Sequence, residues 1–189
     1  MRVIGHRGRG ISPRDRRPRA RDFSAVAVHY DCGASVLTDF PDIGLAVAAD
    51  VAAMVVCLLA AYARYPERVG RSPAAVGAIC IDWVARQMAY VLRGPRRGVR
   101  GVLVIRPEAG AMLIDNVAIH PHYQRRGLGR RLMTFAEDRA SAAGLRELLL
   151  FTNELMTENI EYYQRLGYTE VERRTDEGFR RVFLRKVLS

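Results

Sequence analysis

The stretch IHPHYQRRGLGRRLMTF, Ile119 to Phe135, ends an apolar run and enters an amphipathic pattern. Between the two stand Gly127 and Gly129, flanked by Arg125, Arg126, Arg130 and Arg131. A strand that passes through a glycine turn straight into a helix is a way to bind phosphate. The first helical N–H groups have no partner within the helix, and the helix dipole adds partial positive charge at that end. Glycine lets a ligand approach the backbone where a Cβ would block it. Arg125, Arg126 and Arg130 add charge at the rim, although guanidinium groups at such a place are equally at home in water.

The bare pattern is cheap. With 16 glycines in 189 residues, roughly one G-x-G arises by chance, and we read Gly8-Arg9-Gly10 as that one. No G-K-[ST] follows the later pair, which excludes a Walker-type loop. Leu132 stands where a dinucleotide fingerprint needs its third glycine. The turn also comes late, after strands that read as antiparallel, whereas a dinucleotide fold opens on a βαβ unit.

The periodicities give the elements that must hold this turn. A short strand over Ile43–Val47 leads to a helix capped by Asp50, whose inner face is Val51, Met54, Val55, Leu58, Leu59 and Tyr62 and which ends near Tyr65-Pro66. A second helix covers Ala74 to Ala85. QMAYVLRG and VRGVLVIRP read as strands joined by the turn GPRRG, and AMLIDNVAIH is a third strand that runs into the opening stretch. The helix after Gly127 buries Leu128, Leu132, Phe135 and Ala136 and stops at Gly144. LRELLLF is the next strand, and a short helix from Glu158 to Leu166 stops at Gly167. The chain closes with YTEVERR, a turn at Asp176-Glu177-Gly178, and FRRVFLRKVL. The order is strand, two helices, three strands, helix, strand, helix, two strands, which is one α/β domain over residues 41–189.

Residues 1–40 stand apart as a basic extension. Eight arginines fall in residues 1–22 against Asp15 and Asp22, so residues 1–22 carry +6 of the net charge of +10. It lacks the apolar residues that would offset the entropy of ordering, and reads as flexible. The whole chain is 49% hydrophobic and 26% charged, enough for a real core. The run Gly44 to Ala63 is apolar but holds Asp50, whose burial in a bilayer would cost roughly 2.5–3.5 kcal/mol; a buried soluble helix fits it better. Cys32, Cys57 and Cys80 match no metal spacing, nor do the histidines beyond the weak pair His120 and His122, so no metal is expected. Odd, largely apolar cysteines read as buried thiols in a reducing cytoplasm.

With the elements in place, the residues Ile119-His120-Pro121 and Gln124-Arg125-Arg126-Gly127-Leu128-Gly129 resemble the V-x-P and Q/R-x-x-G-x-G/A signature of the GCN5-related N-acetyltransferases (GNAT). MTENIEYYQRLGY resembles the last helix of that family, which ends in Tyr, two residues, then Leu-Gly-Phe/Tyr. The two motifs lie about thirty residues apart, as the resemblance requires. The match covers residues from about 42 onward and leaves out 1–40.

The resemblance implies a mixed, mostly antiparallel sheet with a splayed cofactor cleft and flanking helices. It implies acetyl-CoA as co-substrate, with the diphosphate on the turn Gln124, Arg125, Arg126, Gly127, Leu128, Gly129 and Arg130, and pantetheine along the backbone of Val117 and Ile119. It gives Tyr163 the role of acid toward the departing thiolate. Packing alone would also explain an aromatic there, on a face with Ile160 and Leu166; Tyr162 lies on another face. Two positions depart from the family. Met156 replaces a cofactor-contacting asparagine, for which Asn159 is the substitute, and Phe151 stands where some members hold a glutamate base. Asp115 is then the best remaining carboxylate, with Glu154 and Glu158 behind it.

The acceptor pocket is expected from the first two helices and the last hairpin, with Tyr62, Tyr65, Glu67 and Trp83 as candidates. The acceptor is expected to be a small-molecule or protein amine, handled by a cytoplasmic, bacterial monomer or homodimer. A non-catalytic acyl-CoA sensor on the same fold is the alternative. The arginine tail and Arg93, Arg96, Arg97 and Arg100 raise a nucleic-acid binder, but they lack aromatic interleaving and a recognised motif, so neither nucleic acid nor membrane is an expected partner.

Overall fold

The computed structural model describes residues 42–63, 73–94, 98–176 and 178–189. The basic extension, Cys32, the segment with Tyr65 and Glu67, and Arg96 and Arg97 therefore lie outside the described residues. In chain order the elements are β1 (Ile43–Leu45), a 3-10 turn (Ala48–Asp50), α1 (Val51–Tyr62), α2 (Pro73–Ala85), β2 (Ala89–Arg93), β3 (Val99–Glu108) and β4 (Ala111–Ile119). Then come a second 3-10 turn (Pro121–Tyr123), α3 (Leu128–Ala142), β5 (Glu147–Asn153), α4 (Thr157–Arg165), β6 (Thr169–Asp176) and β7 (Phe179–Val187).

One seven-stranded sheet runs in the order β1-β2-β3-β4-β5-β7-β6. Every pairing is antiparallel except that of β4 with β5. Two apolar layers cover its faces, because alternate residues of a strand point to opposite sides. Leu103, Ile105, Met112 and Ile114 pack with Leu132, Met133 and Ala136 of α3 and Ile160 and Tyr163 of α4. Val91, Val102 and Val104 pack with Met54, Cys57 and Leu58 of α1 and Val76 and Cys80 of α2. The mixed, mostly antiparallel α/β sheet with flanking helices is thus the one expected. Cys57 and Cys80 are free, fully buried thiols.

Three local expectations are corrected. The first strand stops at Leu45, because the chain turns into the 3-10 segment Ala48–Asp50 before α1. Asp50 precedes α1 but its carboxylate does not cap that helix. It accepts instead from the Val47 N–H at 2.9 Å and from Arg93 Nη2 at 2.7 Å, which ties the start of α1 to β2. Arg93 is therefore engaged inside the fold, also donating to the Leu45 carbonyl at 3.1 Å, and is not held out toward an external anion. In α3, Met133 and Ala140 are buried with Leu132 and Ala136, while Leu128 and Phe135 are only partly so. No helix among the described residues is long and apolar enough to cross a membrane, and α1 has 12 residues.

Candidate active site

The site begins with two consecutive polar residues in an apolar strand. Alternation cannot put both Asp115 and Asn116 of β4 on one face of an ordinary ladder, yet both line the same cleft. The register absorbs them in a bulge: Val104 faces Asn116, Ile105 faces Ile114, and Asp115 is the extra residue. Beyond it the sheet opens. β4 and β5 pair only over Met112–Ile114 and Leu148–Leu150. The His120 N–H donates to the Arg100 carbonyl at 2.9 Å. By the alternation of an antiparallel ladder, the N–H groups of Val117 and Ile119 then face away from β3, toward the gap. An extended amide-bearing arm could pair with them as an added strand.

The gap is a cleft of about 500 Å³. Asp115, Asn116 and Val117 line it from β4, Phe151 and Asn153 from β5, and Asn159 and Tyr163 from α4. Leu58, Leu59 and Tyr62 of α1 and Ile79 and Trp83 of α2 close the other side, with Phe179 and Arg181 of β7 at the mouth. So Tyr163, Asp115, Val117 and Asn159 share one cleft, as do Tyr62 and Trp83. Glu154 and Glu158 do not line it; Glu154 is held by Arg180 at 2.9 Å.

Burial raises the Tyr163 hydroxyl well above its ordinary value of 10, with Tyr62 and Tyr162 as lesser causes. It therefore keeps its proton at neutral pH. Burial raises Tyr62 as well, opposed by a hydrogen bond from the Asn116 side chain. That bond must use the Asn116 amide nitrogen, because Asn116 Oδ1 is buried with no partner. Met156 does not leave a gap where the family asparagine would sit. Its sulfur accepts from Thr152 Oγ1 and from Asn159 Nδ2, both at 3.5 Å. Phe151 packs against Phe183 and lies 4.4 Å under the Arg181 guanidinium.

At the end of β4 the glycine turn takes the form expected of an anion cradle. Arg125 and Gly127 both have positive φ, 60° and 77°. Left-handed residues alternating with ordinary ones turn successive N–H groups toward one point, and α3 starts at Leu128 immediately after. The two glycines do different work. A Cβ at Gly127 would meet nothing within 4 Å, so glycine answers the backbone angle there. A Cβ at Gly129 would stand 3.2 Å from the Tyr162 hydroxyl, so glycine there admits α4 against α3. Sequence reasoning missed this contact, and the adjacent tyrosines Tyr162 and Tyr163 were its only trace. Gln124 Nε2 donates to the Ile119 carbonyl at 3.0 Å and ties the turn back to β4. Arg100 and Arg126 lie 5.0 and 5.9 Å from the Tyr123 ring centre. Outside the turn, a hollow of about 590 Å³ is lined by Gly127, Arg130, Arg131 and Thr134.

Residues 83–170 match the acetyltransferase (GNAT) domain family. No curated protein matches the sequence significantly. Among solved structures, nourseothricin acetyltransferase is 20% identical, over 53% of this chain and 65% of that one, just under two thirds, with a TM-score of 0.50. PaiA N-acetyltransferase from Thermoplasma acidophilum, solved in complex with coenzyme A, is 12% identical over 77% of this chain and 98% of that one, with a TM-score of 0.63. The ribosomal-protein-S18-alanine N-acetyltransferase from Escherichia coli is 21% identical over 78% and 94%, with a TM-score of 0.63. At these identities the structural likeness speaks for the fold alone. The matched segment spans the bulged strand, the glycine turn and the helix of Tyr163, and over it this chain is similar to the GNAT acetyltransferase domain.

Proposed function

We propose that this chain transfers an acetyl group from acetyl-CoA to a primary amine by direct attack. The observation that carries this reading is the parting of β4 from β5 after Ile114, with Tyr163 lining the gap and the glycine turn following β4 in the chain. The residues present fit the co-substrate. The turn offers converging N–H groups to a diphosphate, and the Val117 and Ile119 backbones face the gap.

In the step itself, the amine nitrogen forms a bond to the thioester carbonyl carbon and the carbon–sulfur bond breaks. The nitrogen loses a proton and the sulfur leaves as a thiolate, which a proton donor must stabilise. Asp115 is the carboxylate beside the incoming ammonium and would hold it and take its proton. Tyr163 is the donor to sulfur. Its hydroxyl titrates above 10, so full transfer to a thiolate of ordinary pKa about 8.5 is uphill by at least about 2 kcal/mol. Tyr163 therefore acts chiefly as a hydrogen-bond donor while charge develops on sulfur, and solvent completes the protonation.

The test has two parts. Calorimetry should detect CoA binding to the full chain. A panel of primary amines with acetyl-CoA should release free thiol above the hydrolysis background. Absence of CoA binding would overturn the reading. Phe151 and Met156, apolar where polar groups serve some members, favour a second reading as a non-catalytic acyl-CoA sensor. CoA binding without turnover on any amine would decide for it.

A further inference from the structure

The two sides of the cleft differ in what they offer a ligand. The side formed by α1 and α2 carries Leu58, Leu59, Tyr62, Val76, Ile79 and Trp83, apolar except for the Tyr62 hydroxyl, which is already taken by a hydrogen bond from Asn116. Among the described residues that line the cleft, Asp115 is the only carboxylate. The cation at the mouth, Arg181, is ion-paired with Asp176 and stacked on Phe151. A polyamine or an aminoglycoside would bring several ammonium groups into this space. One could sit at Asp115, and the others would lose water against aliphatic and indole surface without a counter-charge, which is strongly unfavourable. An amine whose body is apolar meets the opposite situation, since its burial removes hydrocarbon from water on both surfaces.

Resting on the acetyltransferase reading above, we infer that the acceptor is a primary monoamine carried on an aromatic or branched aliphatic body. Its single ammonium lies toward Asp115 at the β4 bulge, and its body lies against Ile79 and Trp83. Ile79 and Trp83 are specificity residues on this view, touching the part of the acceptor that does not react.

The chain supplies its own reporter. Trp83 is its single tryptophan, so intrinsic emission reads occupancy of this wall whether or not acetyl transfer follows. The experiment titrates CoA-loaded full-length protein with phenethylamine, spermidine and kanamycin in parallel, and measures thiol release from acetyl-CoA with each. Phenethylamine should change the emission saturably, and its KM should lie at least about tenfold below that of spermidine, the scale of one poorly compensated charge. Ile79→Asp should reverse the preference while leaving CoA affinity unchanged. Saturable binding of spermidine or kanamycin in preference to phenethylamine would overturn the inference and leave the acetyltransferase reading standing. So would CoA binding with no emission change from phenethylamine. Failure to bind CoA or release thiol at all would instead overturn the acetyltransferase reading beneath it.

Discussion

The two walls of the cleft are made of different material. The wall we propose for the cofactor is largely backbone: the outward N–H groups of Val117 and Ile119, the left-handed turn at Arg125 and Gly127, and the first amides of α3. The wall we propose for the acceptor is side chains on two helices, Leu58, Leu59, Tyr62, Ile79 and Trp83, on the same helices that bury Cys57 and Cys80. A backbone site needs only the right angles and small residues, and many sequences satisfy it. A side-chain site changes with every substitution. The fold can therefore keep one co-substrate while its acceptor varies. The relatives illustrate this: by their names, one acetylates nourseothricin and another an alanine of ribosomal protein S18.

Tyr163 sits where the walls meet, and breaking it should give the largest effect. Tyr163→Phe keeps the ring and its packing with Tyr162 and Tyr168. Turnover should fall by about 10²-fold, the usual scale for losing one positioned donor. CoA affinity and melting temperature should move little. Steady-state kinetics with any active acceptor checks this, and a rate within about threefold of the unaltered enzyme, against that scale, would take Tyr163 out of the mechanism.

The same contrast explains what the sequence made legible. The glycine turn and the order of elements could be read because backbone geometry constrains residue type: a left-handed φ asks for glycine, and a strand asks for alternation; Tyr163 was singled out only by the resemblance of its helix to a family motif. Asp115-Asn116 broke that alternation inside LIDNVAI, which was the one available sign of the bulge. The acceptor wall left no comparable sign. Leu58 and Ile79 look like core residues in any helix, and only the three-dimensional arrangement puts them at a cleft. Asp50 failed as an expected cap for a similar reason. Its local sequence context was right, but Arg93, 43 residues away, holds its carboxylate.

Alkaline pH should separate the two walls next. Burial pushes the Cys57 thiol from an ordinary value of 9 up to about 12, and Cys80 up to about 11. Both lie behind the acceptor wall. In the unfolded chain these thiols lose their protons above pH 9, while in the folded chain they keep them. The unfolded state is therefore favoured as pH rises from 9 toward 12, and the stability is fully present below pH 9. From Cys57 alone the loss between pH 9 and about 10.5 should be about 2 kcal/mol, at 1.36 kcal/mol per unit. Urea denaturation across that range measures it. Cys57→Ala should flatten the slope, and a slope unchanged in that variant would assign the loss to Cys80 and the buried tyrosines.

The smallest effect tests the backbone wall by itself. Gly127 has φ 77°, and a Cβ placed on it meets no atom within 4 Å. Gly127→Ala therefore creates no clash, and its cost is that of holding an alanine in the left-handed region, about 1 kcal/mol. Gly129→Ala differs, because its Cβ would press on the Tyr162 hydroxyl at 3.2 Å and must displace α4 or its side chain. If the turn binds a diphosphate through its amides, Gly127→Ala should lower both stability and CoA affinity, since an alanine that relaxes its φ turns the N–H groups away from one another. The acceptor KM should not change, because no atom of the helical wall has moved. Denaturation in urea gives the stability, calorimetry gives the CoA affinity, and kinetics gives KM. A stability loss with CoA affinity intact would mean that the left-handed turn shapes the chain without holding the ligand, and the diphosphate would then have to be sought at the arginines of the rim.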